Sequence, residues 1–180
     1  SRSYVTGIEN MKSFYLTILI FFSIFLSSCS ILDVPVKAYD VAKEFVFPSG
    51  EKLRWDKVSI GVSQQANKNS PVAVDIVMIF DESLVPKIFQ IPAGEWFNSK
   101  KSMFINTFPK EISVKSWELA PGDLLQVPSS FFGEERIFAV VAFADYFSDG
   151  DHRIRIDELA GGVVLEFGVD DFSAYSIGKK

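Results

Sequence analysis

The clearest pattern in this chain is an alternation of apolar and polar residues with a period of two, which predicts half-buried β-strands. In the segment 72–80, Val74 and Ile76 share one face and Asp75 lies on the other. Similar segments predict further strands at 57–63, 112–119, 124–127, 136–144, 153–157 and 163–169. Residues 136–144 are apolar on both faces, so we expect this strand to be the most buried.

Between the second and third predicted strands the period becomes helical. At 100° per residue, five apolar side chains of the segment 93–108 fall within roughly 140° of one face; they are Trp96, Phe97, Met103, Phe104 and Phe108. About seven short strands with one helical insertion after the second favour a mostly all-β fold, a two-sheet antiparallel β-sandwich. No glycine-rich loop opens a helix between strands, which argues against a nucleotide-binding βαβ fold.

A different pattern precedes the strands. Residues 14–26 form an uncharged run of thirteen residues, which is too short for a span of about 20 residues across the hydrocarbon core. With Lys12 before it and Ser27-Ser28-Cys29 after it, the run is typical of a secretory signal and resembles the lipobox of bacterial lipoproteins. The resemblance implies that Cys29 carries the lipid and, because Ser30 rather than Asp follows, that the protein is sorted to the outer membrane. We therefore expect an upstream extension plus lipoprotein signal peptide at 1–28, a lipidated tether at 29–52 and a β-sandwich domain at 53–180.

The charge and the counts of Cys and His exclude several classes of partner and site. A net charge of −5 and a pI near 4.9 argue against a nucleic-acid partner. With one Cys and one His, the chain cannot form an intrachain disulfide framework and has too few ligands for a structural zinc site. A serine or cysteine triad would have to use His152 as its base, since it is the only histidine. We expect His152, which stands in the polar stretch SDGDHRIRID, to be exposed. The sequence thus favours a protein that is not an enzyme and needs no cofactor or metal.

Two groups of residues leave alternatives open. The first is acidic and comprises Asp145, Asp149, Asp151, Asp157 and Glu158. An EF-hand counted from Asp149 fails because Arg153, Ile154 and Ala160 occupy positions that need oxygen ligands or glycine, so we expect a solvated hairpin; paired carboxylates of a hydrolase are the alternative. The second group, Trp55, Trp96 and Trp117, is more typical of a core than of the sugar groove of a lipoprotein carbohydrate- or peptidoglycan-binding module.

The order and spacing of the remaining segments resemble the outer-membrane lipoprotein of the type VI secretion system, the TssJ (SciN) family. The likeness is carried by residues 65–72, 74–80, 117–123, 136–145 and 163–169, in addition to the lipobox. It implies a transthyretin-like sandwich without enzymatic activity, anchored in the outer membrane and facing the periplasm. The implied partner is the periplasmic domain of the inner-membrane protein TssM.

In that family the loop between the first two strands contacts the partner. Carried over to this sequence, the implied partner-binding residues are Gln64, Gln65, Ala66, Asn67, Lys68, Asn69 and Ser70. The residues themselves suit such a role, because a polar loop on a rigid sandwich offers hydrogen-bond donors and acceptors without a large desolvated charge.

Overall fold

The structure is a computed structural model that describes residues 50–178. Cys29, the predicted signal at 1–28 and all but the last three residues of the predicted tether at 29–52 lie outside the described residues. Among residues 50–178, no helix is long and apolar enough to span a membrane.

The described residues form two four-stranded sheets and one short two-stranded ribbon. The strands are β1 (Glu51–Lys52), β2 (Arg54–Val62), β3 (Val72–Ile79), β4 (Ile112–Leu119), β5 (Leu124–Pro128), β6 (Arg136–Ile137), β7 (Ala139–Asp145), β8 (Arg153–Ile156), β9 (Ala160–Phe167) and β10 (Phe172–Ile177). The first sheet has the order β10-β9-β2-β5 and the second β4-β3-β7-β8, while β1 pairs with β6. A common core of side chains from both sheets, including Val58, Ile76 and Leu165, confirms the mostly β sandwich that the sequence predicts.

One pair of neighbouring strands departs from the predicted antiparallel pairing. Strand β2 runs parallel to β9, with Val58 opposite Val163 and Ile60 opposite Leu165. Parallel neighbours need a long crossover connection, and here the whole second sheet with its helices lies between the two strands in sequence. Strand β10 was also not predicted. Its burial explains why, since Phe172 is its only buried side chain and the strand shows no alternation of apolar residues.

Helices follow β3, as the sequence predicts. They are α1 (Val85–Phe89), α2 (Ala93–Glu95) and α3 (Lys101–Thr107), and a π-helical segment, Trp96–Lys100, joins α2 to α3. Trp96 and Phe104 are buried as expected, but Met103 is 46% exposed. A π-segment places more residues in a turn than an α-helix does, so the face computed from a uniform 100° step is wrong after it. Lys101, rather than Met103, turns towards the sheet.

The helical layer covers the second face of the sheet that contains β3 and β7. Val77, Ile79 and Phe143 pack against it in a second core, and the Trp96 ring stacks on Phe143 with centroids 4.7 Å apart. Strand β7 is buried from Ala139 to Ala144, as predicted. Strand β3, which the alternation predicts to be half-buried, is instead buried on both faces.

Asp75, predicted on the polar face of β3, is only 1% exposed. Its carboxylate accepts hydrogen bonds from Trp96 Nε1 at 2.8 Å and from Lys101 Nζ at 2.9 Å. The interpretation of the tryptophans as core residues is confirmed for Trp55 and Trp96, which are buried, and Trp117 packs partly buried against the main core.

Candidate functional site

Four connections lie at the same end of the sandwich, and we call this region the loop end. They are residues 63–71 between β2 and β3, 120–123 between β4 and β5, 146–152 between β7 and β8, and 168–171 between β9 and β10. Backbone hydrogen bonds place the first two side by side, because Val62 N donates to Asp123 O and Gly122 N donates to Val62 O. The sequence-predicted partner-binding residues all lie in the first connection.

The structure divides those predicted residues into two sets. Gln64, Gln65, Lys68 and Asn69 are exposed and Ser70 is half-buried, whereas Ala66 and Asn67 are buried. Only the first set presents side chains to solvent. The second set lies beneath it and fixes the shape of the turn.

Asn67 joins three of the four connections. Its Nδ2 donates to Pro71 O at 2.9 Å and to Asp145 O at 3.4 Å, and its Oδ1 accepts from Phe147 N at 2.7 Å. Its backbone N donates to Val169 O at 2.9 Å. Since Asn67 is 2% exposed, these bonds form away from water, where a donor or acceptor left without a partner is costly. The turn is therefore rigidly attached to its neighbours.

The backbone of the turn is left-handed over three consecutive residues. The φ angles are +47° at Asn67, +56° at Lys68 and +59° at Asn69. Asparagine tolerates this region well, but for lysine it costs on the order of 1 kcal/mol. The hydrogen bonds of Asn67 hold the chain in this conformation and leave Lys68 exposed at the tip of the turn.

His152 also lies at the loop end, and the expectation that it is exposed is wrong, because the residue is only 6% exposed. Its Nδ1 lies 3.0 Å from Asp171 Oδ1 and its Nε2 lies 2.8 Å from Ser148 O. Both neighbours are acceptors, so the two hydrogen bonds form together only when both ring nitrogens are protonated. Burial opposes that charge, but the bonds to Asp171 and to the Ser148 carbonyl outweigh it and raise the pKa of His152 above its ordinary value.

Tyr146 strengthens the same attachment. Its ring lies against His152 with centroids 5.1 Å apart, and its hydroxyl lies 3.1 Å from the carbonyl oxygens of both Gly168 and Asp171. Burial, followed by the negative charges of Asp171 and Asp170, raises the pKa of Tyr146. Tyr146 and His152 thus bind the connection after β7 to the connection after β9.

Ser148, His152 and Asp171 are the residue types of a catalytic triad, but their hydrogen bonds do not fit one. A triad histidine needs a free Nε2 lone pair to accept the serine proton. Here Nε2 donates to the Ser148 carbonyl, while Ser148 Oγ donates to Asp170 O and lies 3.5 Å from Nε2. The three residues connect two loops and leave the hydroxyl without a base.

The structure separates the two ends of the acidic group, Asp145 and Glu158. All five side chains are exposed, Asp151 pairs with Arg153 at 3.0 Å, and Asp157 pairs with Arg155 at 2.9 Å. The β7–β8 register, with Val140 opposite Ile156, places Glu158 beyond the opposite end of the sheet from Asp145. At about 3.4 Å per residue, these two carboxylates are too far apart to act together. No three acidic, His or Cys side chains within residues 50–178 come together as metal ligands.

Two residues at the loop end were missed by the sequence reasoning. Phe147 is 66% exposed and Val169 is 46% exposed, and both are bonded through their backbones to Asn67. Phe147 is an aromatic residue within an otherwise polar, acidic stretch, a signal that the sequence does contain. Val169 is the last residue of the predicted strand 163–169, but β9 ends at Phe167.

Comparison with known proteins gives structural neighbours only. No family model matches the chain, and no curated protein matches it. Among solved structures, the chain is similar to the type VI secretion lipoprotein TssJ1 from Pseudomonas aeruginosa, with 9% identity and a TM-score of 0.49 over 73% of this chain and 100% of that one. It is also similar to Serratia marcescens Lip, a membrane-bound component of the type VI secretion system, with 13% identity and a TM-score of 0.47 over 68% and 97% of the two chains. A third similar structure is a type VI membrane complex, with 14% identity and a TM-score of 0.49 over 71% and 99%.

The two parts of the turn predict opposite effects of substitution. We expect Asn67→Ala to lower the free energy of unfolding by about 2–4 kcal/mol, because Phe147 N and other buried polar groups lose their partners. Lys68→Gly should change it by less than about 1 kcal/mol, because glycine adopts φ +56° without strain. Urea unfolding of the chain from Ser30 onwards measures both, and equal losses would contradict the division of roles.

The buried His152 predicts a pH-dependent stability. Its pKa is raised above the ordinary 6.5 in the folded protein, so its contribution to stability is fully present below pH 6.5 and is lost as the pH rises through the folded pKa. Because His152 is the sole histidine of the chain, its ring resonance can be titrated by NMR without ambiguity. The melting temperature should fall as the pH rises through the folded pKa, and the fall should be smaller in His152→Gln. A measured pKa at or below 6.5 would contradict this assignment.

Proposed function

We propose that this chain is an outer-membrane-anchored scaffold lipoprotein of a type VI secretion-like envelope complex, and that its loop end binds the periplasmic domain of a TssM-like inner-membrane partner. The proposal begins from the sequence resemblance, which names the partner and the turn. The structural observation that carries it is the set of hydrogen bonds of Asn67, which fix the turn so that Lys68 and Asn69 are exposed at its tip.

A fixed turn suits a binding role better than a mobile one does. A loop that is already in its bound conformation loses little conformational entropy when a partner docks. The exposed side chains of the turn are amides and one ammonium, groups that can exchange bonds to water for bonds to a partner. Asn67 and Ala66 would act as positioning residues beneath them.

The lipid anchor completes the proposed mechanism. We propose that Cys29 carries the lipid, that residues 29–52 form the tether and that the sandwich from residue 53 onwards faces the periplasm. A single acyl chain binds membranes only marginally, so the two or three chains of a lipoprotein are needed for a lasting anchor. When both partners are fixed to facing membranes, their effective concentration is high, and a modest contact is sufficient for assembly.

The anchor is tested by Cys29→Ser. We expect this variant to leave the membrane fraction, because it has no thiol to acylate, while its circular dichroism spectrum and melting temperature stay those of the wild-type domain. Fractionation of cells with separate detection in the membrane pellet and the soluble extract measures the shift. A variant that remains in the pellet would refute lipidation at Cys29.

The partner contact is tested by Lys68→Gly combined with Asn69→Gly. Both positions have positive φ, so glycine removes the side chains and keeps the backbone. We expect the Kd for the purified periplasmic domain of the TssM-like protein to rise at least tenfold, with an unchanged melting temperature.

A matched control for this double variant is Lys110→Gly. Lys110 is an exposed lysine between α3 and β4, at the other end of the sandwich, and its substitution should leave the Kd unchanged. Wild-type affinity in the double variant would place the contact elsewhere, and an equal loss in Lys110→Gly would reduce the effect to one of net charge.

A further inference from the structure

We propose that the docking surface extends beyond the predicted turn to Phe147 and Val169, and that its occupant is a segment of the inner-membrane partner in which apolar side chains are flanked by basic ones. This inference rests on the proposed function and deepens it. It assigns to the partner a chemistry that the polar turn alone does not specify.

The first observation is the position of the two apolar residues. Asn67 bonds to the backbone of Phe147 through its side chain and to that of Val169 through its own backbone N, at 2.7 and 2.9 Å. Both residues therefore lie directly beside the turn that carries Lys68. Each nevertheless leaves about half or more of its side chain exposed.

The second observation is that hydrogen bonds fix the backbone of the two connections that carry Phe147 and Val169. Tyr146, next to Phe147, bonds to the carbonyls of Gly168 and Asp171, which are on either side of Val169 in the same connection. The contact of His152 Nδ1 with Asp171 Oδ1, at 3.0 Å, joins the same two connections again. A single exposed apolar residue is ordinary, but two that are attached to the same buried asparagine give a partner an ordered apolar surface to pack against.

The third observation is the charge around the patch. Three exposed aspartates lie here: Asp145 is the last residue of β7, and Asp149 and Asp170 lie on the connections that carry Phe147 and Val169. Within residues 50–178 no lysine or arginine forms an ion pair with them. Lys68 is the one lysine or arginine in the segments 63–71, 145–152 and 168–171. These aspartates would repel an anionic membrane surface, whereas they would attract a basic protein segment.

The experiment uses the full chain purified in detergent and, as the probe, the purified periplasmic domain of the TssM-like protein. We expect Phe147→Gln with Val169→Gln to raise the Kd at least tenfold. Met103→Gln is the matched control, since Met103 is as exposed as Val169 but lies on α3, and it should bind as the wild type does. Val169→Thr, which keeps the shape of the side chain, tests the same site if the double variant loses stability.

Ionic strength tests the charge in the proposal. The wild-type Kd should rise with salt, because exposed charges are screened. Substitution of Asp145, Asp149 and Asp170 by asparagine should raise the Kd at low salt and flatten its salt dependence. A wild-type Kd that does not respond to salt would overturn the basic character assigned to the partner.

The outcomes separate the two levels of the proposal. If the wild type does not bind the probe, the proposed function fails and this inference fails with it. If binding is lost with Lys68→Gly and Asn69→Gly but is untouched by the Phe147 and Val169 variants, the proposed function stands and the extended surface is overturned.

Discussion

The buried carboxylate of Asp75 is the constraint on which the architecture depends. A charge at 1% exposure in the middle of β3 is tolerated only when it is paired and hydrogen-bonded, and both of its partners, Trp96 and Lys101, come from the helical insertion. The Lys101 ammonium also donates to Ser116 Oγ on β4 at 3.0 Å, so that one cation joins the helical layer to two neighbouring strands. With that layer in place, β3 and β7 are covered on both faces and form the rigid centre of the domain.

The loop end is attached directly to β3 and β7, the rigid centre of the domain. The ladder between β3 and β7 finishes where Ala73 pairs with Asp145. Just beyond that pair, the side-chain amide of Asn67 donates to the carbonyls of Pro71 and Asp145, so it binds the two strands together after their own ladder has ended. A surface turn that is bonded to the two most buried strands is held rigidly by them. Binding sites on loops need such support from rigid elements.

The sequence predicts those features that depend on local periodicity. Strand β4 at Ile112–Leu119 and the burial of β7 follow from the spacing of apolar residues alone. Features set by contacts distant in sequence do not follow. Asp75 looks like a solvent-facing residue because it is a charged residue opposite the apolar face of Val74 and Ile76, and His152 does because its neighbours are polar. The burial of both depends on helices and loops 19 to 26 residues away. Asn67 looks equivalent to Asn69, and only the approach of Asp145 and Phe147, 78 and 80 residues later, distinguishes them.

Buried and exposed side chains therefore alternate along a single turn. Asn67 uses its side chain entirely within the protein, and the next residue, Lys68, directs its side chain to solvent from a left-handed backbone that glycine would adopt with less strain. A lysine in that conformation is maintained by the bonds of its neighbour and contributes nothing to the packing beneath it. The strain at Lys68 therefore supports the proposal that this residue is kept for a contact outside the domain, and under the same proposal the exposed apolar residues beside it offer a surface against which a partner can pack.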